Sequence, residues 1–237
     1  MSTTEEKTFI QMLHQMGKSP VVILGFVLLI IARVLNFFAT FNLADINFVS
    51  VALNITIIFL FVYTISSFFE SCKKEDRVNT QKALNTAKGI VTLMILLSSI
   101  AGITFLLAPF GLVFGGFMPA LLNIIILAIF IPLIFFYYRP ILSMIKSTQS
   151  NIEGSTLGFI EGSNIFVIMS FVFVGINILT LMLFLAMPDV RDVLSGGNIV
   201  LSIIVGVISA IGHVIITLQI MKFTNNISDI KRKQVGF

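Results

Sequence analysis

The chain has 237 residues, of which 57% are hydrophobic and only 11% are charged, and its formal net charge is +4. A mean hydropathy of +1.05 lies outside the range of soluble globular domains. This composition excludes a soluble globular protein, and the single Cys72 excludes an internal disulfide framework.

The N-terminal segment, residues 1–19, is mostly polar and is predicted to lie in the cytoplasm. Four apolar residues recur in it at helical spacing and would share one face: Phe9, Met12, Leu13 and Met16. We therefore expect a short interfacial helix that lies on the inner leaflet before Pro20 begins the first membrane span.

Six apolar runs of about 20 residues follow, each long enough for a helix to cross a hydrocarbon core of ~30 Å. They are expected at about 20–42, 47–69, 89–110, 117–139, 164–187 and 198–221. Together they form a transmembrane domain over 20–222, followed by a basic cytoplasmic tail over 223–237. The predicted fold is an all-α polytopic integral membrane protein whose six helices form three successive hairpins.

The positions of Lys and Arg predict how these spans are oriented. All but two of the 15 Lys and Arg residues fall on the side that carries both termini. The exceptions are Arg191, on the opposite side, and Arg33, inside the first span. Both termini are therefore expected in the cytoplasm of a multi-pass protein of the cell membrane. No basic face with interleaved aromatics occurs, so no nucleic-acid partner is predicted.

The first two hairpins match each other at a constant offset. Ile31-Ala32 corresponds to Ile100-Ala101, and Leu53-Asn54-Ile55 corresponds to Leu122-Asn123-Ile124. Leu, Ile and Phe are so common in these runs that chance matches are also expected. Internal duplication and coincidence both remain open.

Polar side chains inside the spans are the candidate functional residues, because inserting them into hydrocarbon is costly. Arg33 is expected to donate hydrogen bonds to amide oxygens. Two roles are open: hydrogen bonding that holds helices together, or the lining of a pathway for ions or small solutes. The candidate intramembrane polar layer consists of Arg33, Asn36, Asn54, Asn123, Asn177 and His213.

Small residues at four-residue spacing predict faces on which helices pack closely. Packing within one protomer is favoured over formation of a homo-oligomer, but both remain open. The candidate packing residues are Ser98 and Gly102 in the third span, and Ser202, Gly206 and Ala210 in the sixth.

The sequence contains no phosphate loop, no nucleotide fingerprint and no nucleophile–base–acid set, so no catalytic, cofactor-binding or metal-binding residue is predicted. The favoured function is a non-enzymatic integral membrane subunit or scaffold that acts through in-membrane packing and its cytoplasmic face. Its expected partners are the lipid bilayer and another membrane or cytoplasmic protein. The alternative is a channel or uncoupled transporter for ions or small solutes, built around Arg33.

Overall fold

The computed structural model describes residues 4–39, 48–106, 117–154, 158–186 and 199–235, and all regular structure in this part of the chain is α-helical. This confirms the all-helical class. The predicted short links at 43–46, 111–116 and 188–197 lie outside the described residues. The described helices are α1 (Thr4–Lys18), α2 (Pro20–Ala39), α3 (Phe48–Lys73), α4 (Arg77–Leu106), α5 (Phe117–Glu153), α6 (Ser163–Ala186) and α7 (Ile199–Val235).

Three helical segments within the described residues are long and apolar enough to cross a membrane. They are Pro20–Phe38 in α2, Asn54–Lys73 in α3 and Val200–Arg232 in α7, and a shorter apolar segment, Ser163–Leu179, lies in α6. Large hydrophobic side chains on these helices face outwards; Phe59 on α3, for example, is 68% exposed. Such exposure is expected where the surrounding solvent is lipid, and these helices fit a membrane protein.

Helices α2 to α7 pack as a closed ring. Each packs on the next helix along the chain, and α7 packs on α2 through the most extensive of these interfaces. The end of α3, the start of α4 and the end of α5 meet at one end of the ring. There Lys18 forms an ion pair with Glu75, and Arg77 donates a hydrogen bond to the carbonyl of Ile152. We call this end, which also carries α1, the basal end.

Several helices continue beyond the predicted spans at the basal end. Helices α4, α5 and α7 have 30, 37 and 37 residues, and at ~1.5 Å per residue they are roughly 45–55 Å long. Beyond Phe223 the chain carries Ile227 and Ile230 at helical spacing and has no Gly or Pro before Val235. The basic tail predicted over 223–237 is therefore helical as far as Val235.

Helix α1 is inserted among the basal ends of the other helices. Phe9 and Leu13 are 0% and 2% exposed, and the ring of Phe9 lies 6.0 Å from that of Phe223. The apolar face predicted on α1 therefore packs against protein rather than against lipid. Contact between the rest of α1 and the inner leaflet stays a prediction. We call this cluster the basal core: Phe9, Leu13, Leu84, Ile152, Ile160, Phe223 and Ile227.

Two glycines allow close packing of α2 on α7, the contact that closes the ring. A Cβ at Gly212 would lie 2.9 Å from Cδ2 of Leu29 and 3.1 Å from the carbonyl oxygen of Gly25. A Cβ at Gly25 would lie 2.8 Å from Cγ1 of Ile216. Bare backbone at both positions lets the helices approach, as small residues do between membrane helices. Neither glycine is among the predicted packing residues.

The predicted packing face on α7 meets α6 instead. A Cβ at Gly206 would lie 3.6 Å from Cδ2 of Leu181, which is ordinary van der Waals contact, and Ser202 and Ala210 are half-buried. The surroundings of the other predicted pair, Ser98 and Gly102, lie outside the described part of the structure.

Gly206→Ala should be tolerated, whereas Gly206→Leu should overpack the α6–α7 contact and lower the free energy of unfolding by about 1–3 kcal/mol. Unfolding in detergent measures the difference. Gly175→Leu is the matched control, because nothing lies within 4 Å of a Cβ at Gly175 on α6. Equal stability of the two leucine variants would show that Gly206 does not lie in a helix contact.

Candidate functional site

Arg33 on α2 is exposed and bonds to the neighbouring helix. Its Nη2 donates a hydrogen bond to Oδ1 of Asn54 on α3, at 3.2 Å. It also interacts electrostatically with Tyr138 of α5. The structure thus forms the expected bond between the arginine and an amide oxygen.

The other amides of the candidate polar layer are distributed over several helices. Asn36 follows Arg33 by about one turn of α2 and is half-buried, as is Asn177 on α6. The side chain of Asn123 on α5 lies outside the described residues. A role for these amides beyond helix packing stays a prediction.

His213 on α7 belongs to a separate polar group closer to the basal end. Its Nε2 lies 3.1 Å from Oη of Tyr137 on α5, and its Nδ1 lies 2.9 Å from the carbonyl oxygen of Ser209. A neutral imidazole satisfies both contacts if Nδ1–H donates to the carbonyl and the Tyr137 hydroxyl donates to Nε2. The Tyr137 ring packs edge-on against Phe173 of α6, with centroids 4.8 Å apart.

This geometry makes His213 a hydrogen-bonded contact between α5 and α7. The preceding Gly212 packs against Gly25 of α2, which is eight residues before Arg33. At ~1.5 Å per residue, His213 therefore lies roughly 12 Å closer to the basal end than Arg33. The six candidate residues do not form one layer that includes His213. Sequence reasoning missed Tyr137 as the partner of His213, although a pair of tyrosines in an apolar run indicates hydroxyl groups that need hydrogen-bond partners.

A second buried polar group attaches α1 to the ring. His14 is 4% exposed, and its Nε2 lies 3.2 Å from Oγ1 of Thr80 on α4. Thr80 is also buried, and its hydroxyl lies 3.0 Å from Oγ of Ser71 on α3. His14 therefore links three helices at the basal end. Sequence reasoning missed His14, because a histidine outside the spans costs little free energy unless its helix is buried. The burial of α1 is visible only in the structure.

The surroundings of His14 set its charge state. Burial lowers the pKa of its imidazole below the usual value, while the field of Glu75 acts in the opposite direction and that of Lys18 reinforces the lowering. Asp76 also raises the pKa, by a smaller amount. The Lys18 side chain, by hydrogen bonding Glu75, lowers the pKa of that carboxyl group. His14 is thus neutral in the folded protein near pH 7.

Docking of α1 should weaken in acid. Because the pKa of His14 is lower in the folded chain than in the unfolded chain, the unfolded chain binds the proton more tightly. The contribution to stability is complete above about pH 6.5 and is lost as the pH falls through the folded-state pKa. Amide hydrogen exchange of α1, corrected for the intrinsic effect of pH, should therefore increase between about pH 7 and pH 5.

His14→Gln should remove most of this pH response, because glutamine can still donate to Thr80 but does not titrate. His213→Gln is the control, since the chain has only these two histidines and His213 does not contact α1 in the described residues. An unchanged pH response in His14→Gln would show that protonation of His14 does not weaken the docking of α1.

Metal ligands are not grouped in the described part of the chain, where no set of three or more His, Cys, Asp or Glu residues is placed to hold an ion. The fold and the polar groups define an all-helical protein with helices able to span a membrane. Comparison with protein-family models, curated proteins and solved structures found no match to this chain. Function is therefore inferred from its own residues.

Proposed function

We propose that this protein is a non-enzymatic, multi-pass membrane subunit that acts as a scaffold through its basal end. In this proposal α2 to α7 cross the cell membrane six times as three hairpins, and the basal end faces the cytoplasm together with both termini. The Lys and Arg residues at the basal end support this orientation.

The observation that carries the proposal is the basal core. Ion transport through a helix bundle requires no folded structure outside the membrane, yet here α1 and the extended ends of α4, α5 and α7 bury a hydrophobic core of their own. Burial of Phe9 and Ile152 at 0% and 1% exposure makes this end rigid. A rigid surface next to the membrane suits the docking of another protein, because little conformational entropy is lost on binding.

Two apolar side chains on the basal surface are suitable probes for such a partner. Val78, in the first turn of α4, and Phe159, just before α6, are 61% and 57% exposed. Lys231 of α7 places its Nζ 3.9 Å from the centroid of the Phe159 ring, so this surface combines an apolar group with a cation.

The test is photo-crosslinking in intact membranes. A photoreactive amino acid at Val78 or at Phe159 should give an adduct with one and the same protein at both positions. The same amino acid at Phe59 or Met182, which are exposed on the membrane-spanning helices, is the control and should give no such adduct. Absence of a protein adduct at both basal positions, or the same adduct at the control positions, would contradict the proposal.

A channel or uncoupled transporter is the second candidate, and the observation that favours it is the hydrogen bond of Arg33 to Asn54, which joins two members of the candidate polar layer. The purified protein in liposomes separates the two candidates. Salt-sensitive flux of small anions that is lost in Arg33→Leu but retained in Arg139→Leu, whose arginine lies against Phe135 near the basal end, would support a pathway. Absence of flux across ions and small solutes would refute it.

A further inference from the structure

The ring contains a partly open cavity of about 250 Å³ next to α1. Helices α2, α3, α4, α5 and α7 contribute its walls, and Leu13 and Met16 of α1 line it at the basal end. The cavity is therefore an interior space of the ring, and α1 separates it from the basal surface.

The lining of the cavity is almost entirely apolar. Its polar members are Thr64, Thr148 and Gln219, and no charged side chain lines it within the described residues. The hydroxyl groups of the two threonines donate to carbonyl oxygens of their own helices, Thr64 to Leu60 at 2.8 Å and Thr148 to Met144 at 2.7 Å. Water needs two to four polar partners to occupy a cavity, and these walls offer few, chiefly the side-chain amide of Gln219.

The cavity extends from the membrane-spanning segments into the basal core, whose Leu84, Ile160 and Phe223 also line it. Val22 and Phe26 belong to Pro20–Phe38, Phe61 to Asn54–Lys73, and Ile216 to Val200–Arg232. Val22 and Phe26 lie towards the basal end of their segment, and Phe61 and Ile216 lie near the middle of theirs. In the proposed orientation the surrounding solvent at this depth is the acyl-chain region of the inner leaflet.

The volume suits part of a hydrocarbon chain. A dry cavity of ~150 Å³ binds benzene, so the present one has room for roughly ten carbon atoms. An empty cavity lowers stability in proportion to its volume. A lipid bilayer offers acyl chains at high local concentration, and the cavity lining offers no charged partner for a phosphate headgroup within the described residues.

We propose that this cavity binds one acyl chain of a membrane phospholipid, with α1 as its basal wall. The headgroup stays outside, because no charged side chain lines the cavity within the described residues to pair with a phosphate. Undocking of α1 would open the cavity at its basal side, so chain binding and α1 docking should stabilise each other.

The test uses the absence of tryptophan from the chain. Phe26→Trp places a single tryptophan in the cavity wall, where Phe26 packs against Phe69 with ring centroids 5.6 Å apart. Phe59→Trp places one on the outer surface. In nanodiscs made from phospholipids with brominated acyl chains, the fluorescence of both tryptophans should be quenched. The reference for each variant is its fluorescence in nanodiscs of unbrominated phospholipid. Quenching of Phe59→Trp alone would overturn the proposal.

A cavity-filling variant distinguishes an acyl chain bound in the cavity from an acyl chain that lies outside the ring. Ala83→Phe or, if that variant does not fold, Ala87→Phe adds a ring to the cavity wall. Either should at least halve the quenching of Phe26→Trp and leave that of Phe59→Trp unchanged. Undiminished quenching of Phe26→Trp would overturn the proposal. Quenching of Phe26→Trp by brominated free fatty acid but not by brominated phospholipid would also overturn it.

Discussion

Gly212→Leu should disrupt the closure of the ring and lower the free energy of unfolding by about 3 kcal/mol, the upper end of the usual cost of overpacking. The reason is that the nearest obstacles to a side chain at Gly212 include backbone. The carbonyl oxygen of Gly25 would lie 3.1 Å from the first added carbon, and a leucine extends further in the same direction. Helices α2 and α7 must therefore move apart rather than repack.

The measurement is unfolding of the purified protein in detergent, with Gly175→Leu as the matched control. Both substitutions add the same side chain to a membrane-helix glycine, but a Cβ at Gly175 meets nothing within 4 Å. Gly212→Leu should be much less stable than the control. Equal stability of the two variants would mean that α2 and α7 do not pack through these glycines.

Phe9→Ala should release α1 from the basal end and cost about 3–5 kcal/mol, as expected for truncating a fully buried aromatic side chain. Phe9 is 0% exposed and contacts the ring of Phe223. Alanine would leave a cavity in the basal core that α1, held mainly by one apolar face, cannot collapse to fill. Amide hydrogen exchange of residues 4–18 should increase to the rate of an undocked helix.

Phe59→Ala is the control for the loss of aromatic area, because Phe59 is exposed on α3. It should change neither the exchange of α1 nor the stability of the protein by more than about 0.5 kcal/mol. Continued protection of α1 in Phe9→Ala would show that the basal core does not hold this helix.

The hydrophobic thickness of a bilayer made the positions of several helices predictable, because it sets the length of the apolar runs. Helix α6 was expected at about 164–187 and is observed at Ser163–Ala186, and α7 starts at Ile199, next to the expected 198. Lipid forces a continuous apolar run of this length into a helix, so the run alone carries the information. The number of crossings and the proposed repeat remain predictions.

The basal end could not be predicted in the same way. The continuation of α5 beyond Arg139 to Glu153 includes Pro140 and polar residues, and it depends on packing of Met144 and Ile152 in and around the basal core. Packing of this kind joins residues far apart in sequence. The same holds for His14, whose partner Thr80 lies 66 positions away.

The candidate site was predictable only where the free-energy cost of a polar side chain in hydrocarbon requires a hydrogen-bond partner. An arginine inside a span must find an acceptor, and Asn54 supplies one. The glycine contact between Gly25 and Gly212 was missed because a spacing rule detects repeated small residues on one helix. The α2–α7 contact instead uses one glycine from each helix, which only the three-dimensional arrangement reveals.

We expect the basal ends of all the helices to lie together on the cytoplasmic side of the membrane. Labelling of single-cysteine additions with a membrane-impermeant maleimide tests it, and the wild type serves as the blank because Cys72 is fully buried. Cysteines in place of Asn79, Glu153 and Asn225, all exposed at the basal end, should react only after the cells are permeabilised. A cysteine in place of Ser195 should react in intact cells. Reaction of any of the three basal cysteines in intact cells would place that basal end outside the cell and contradict this arrangement.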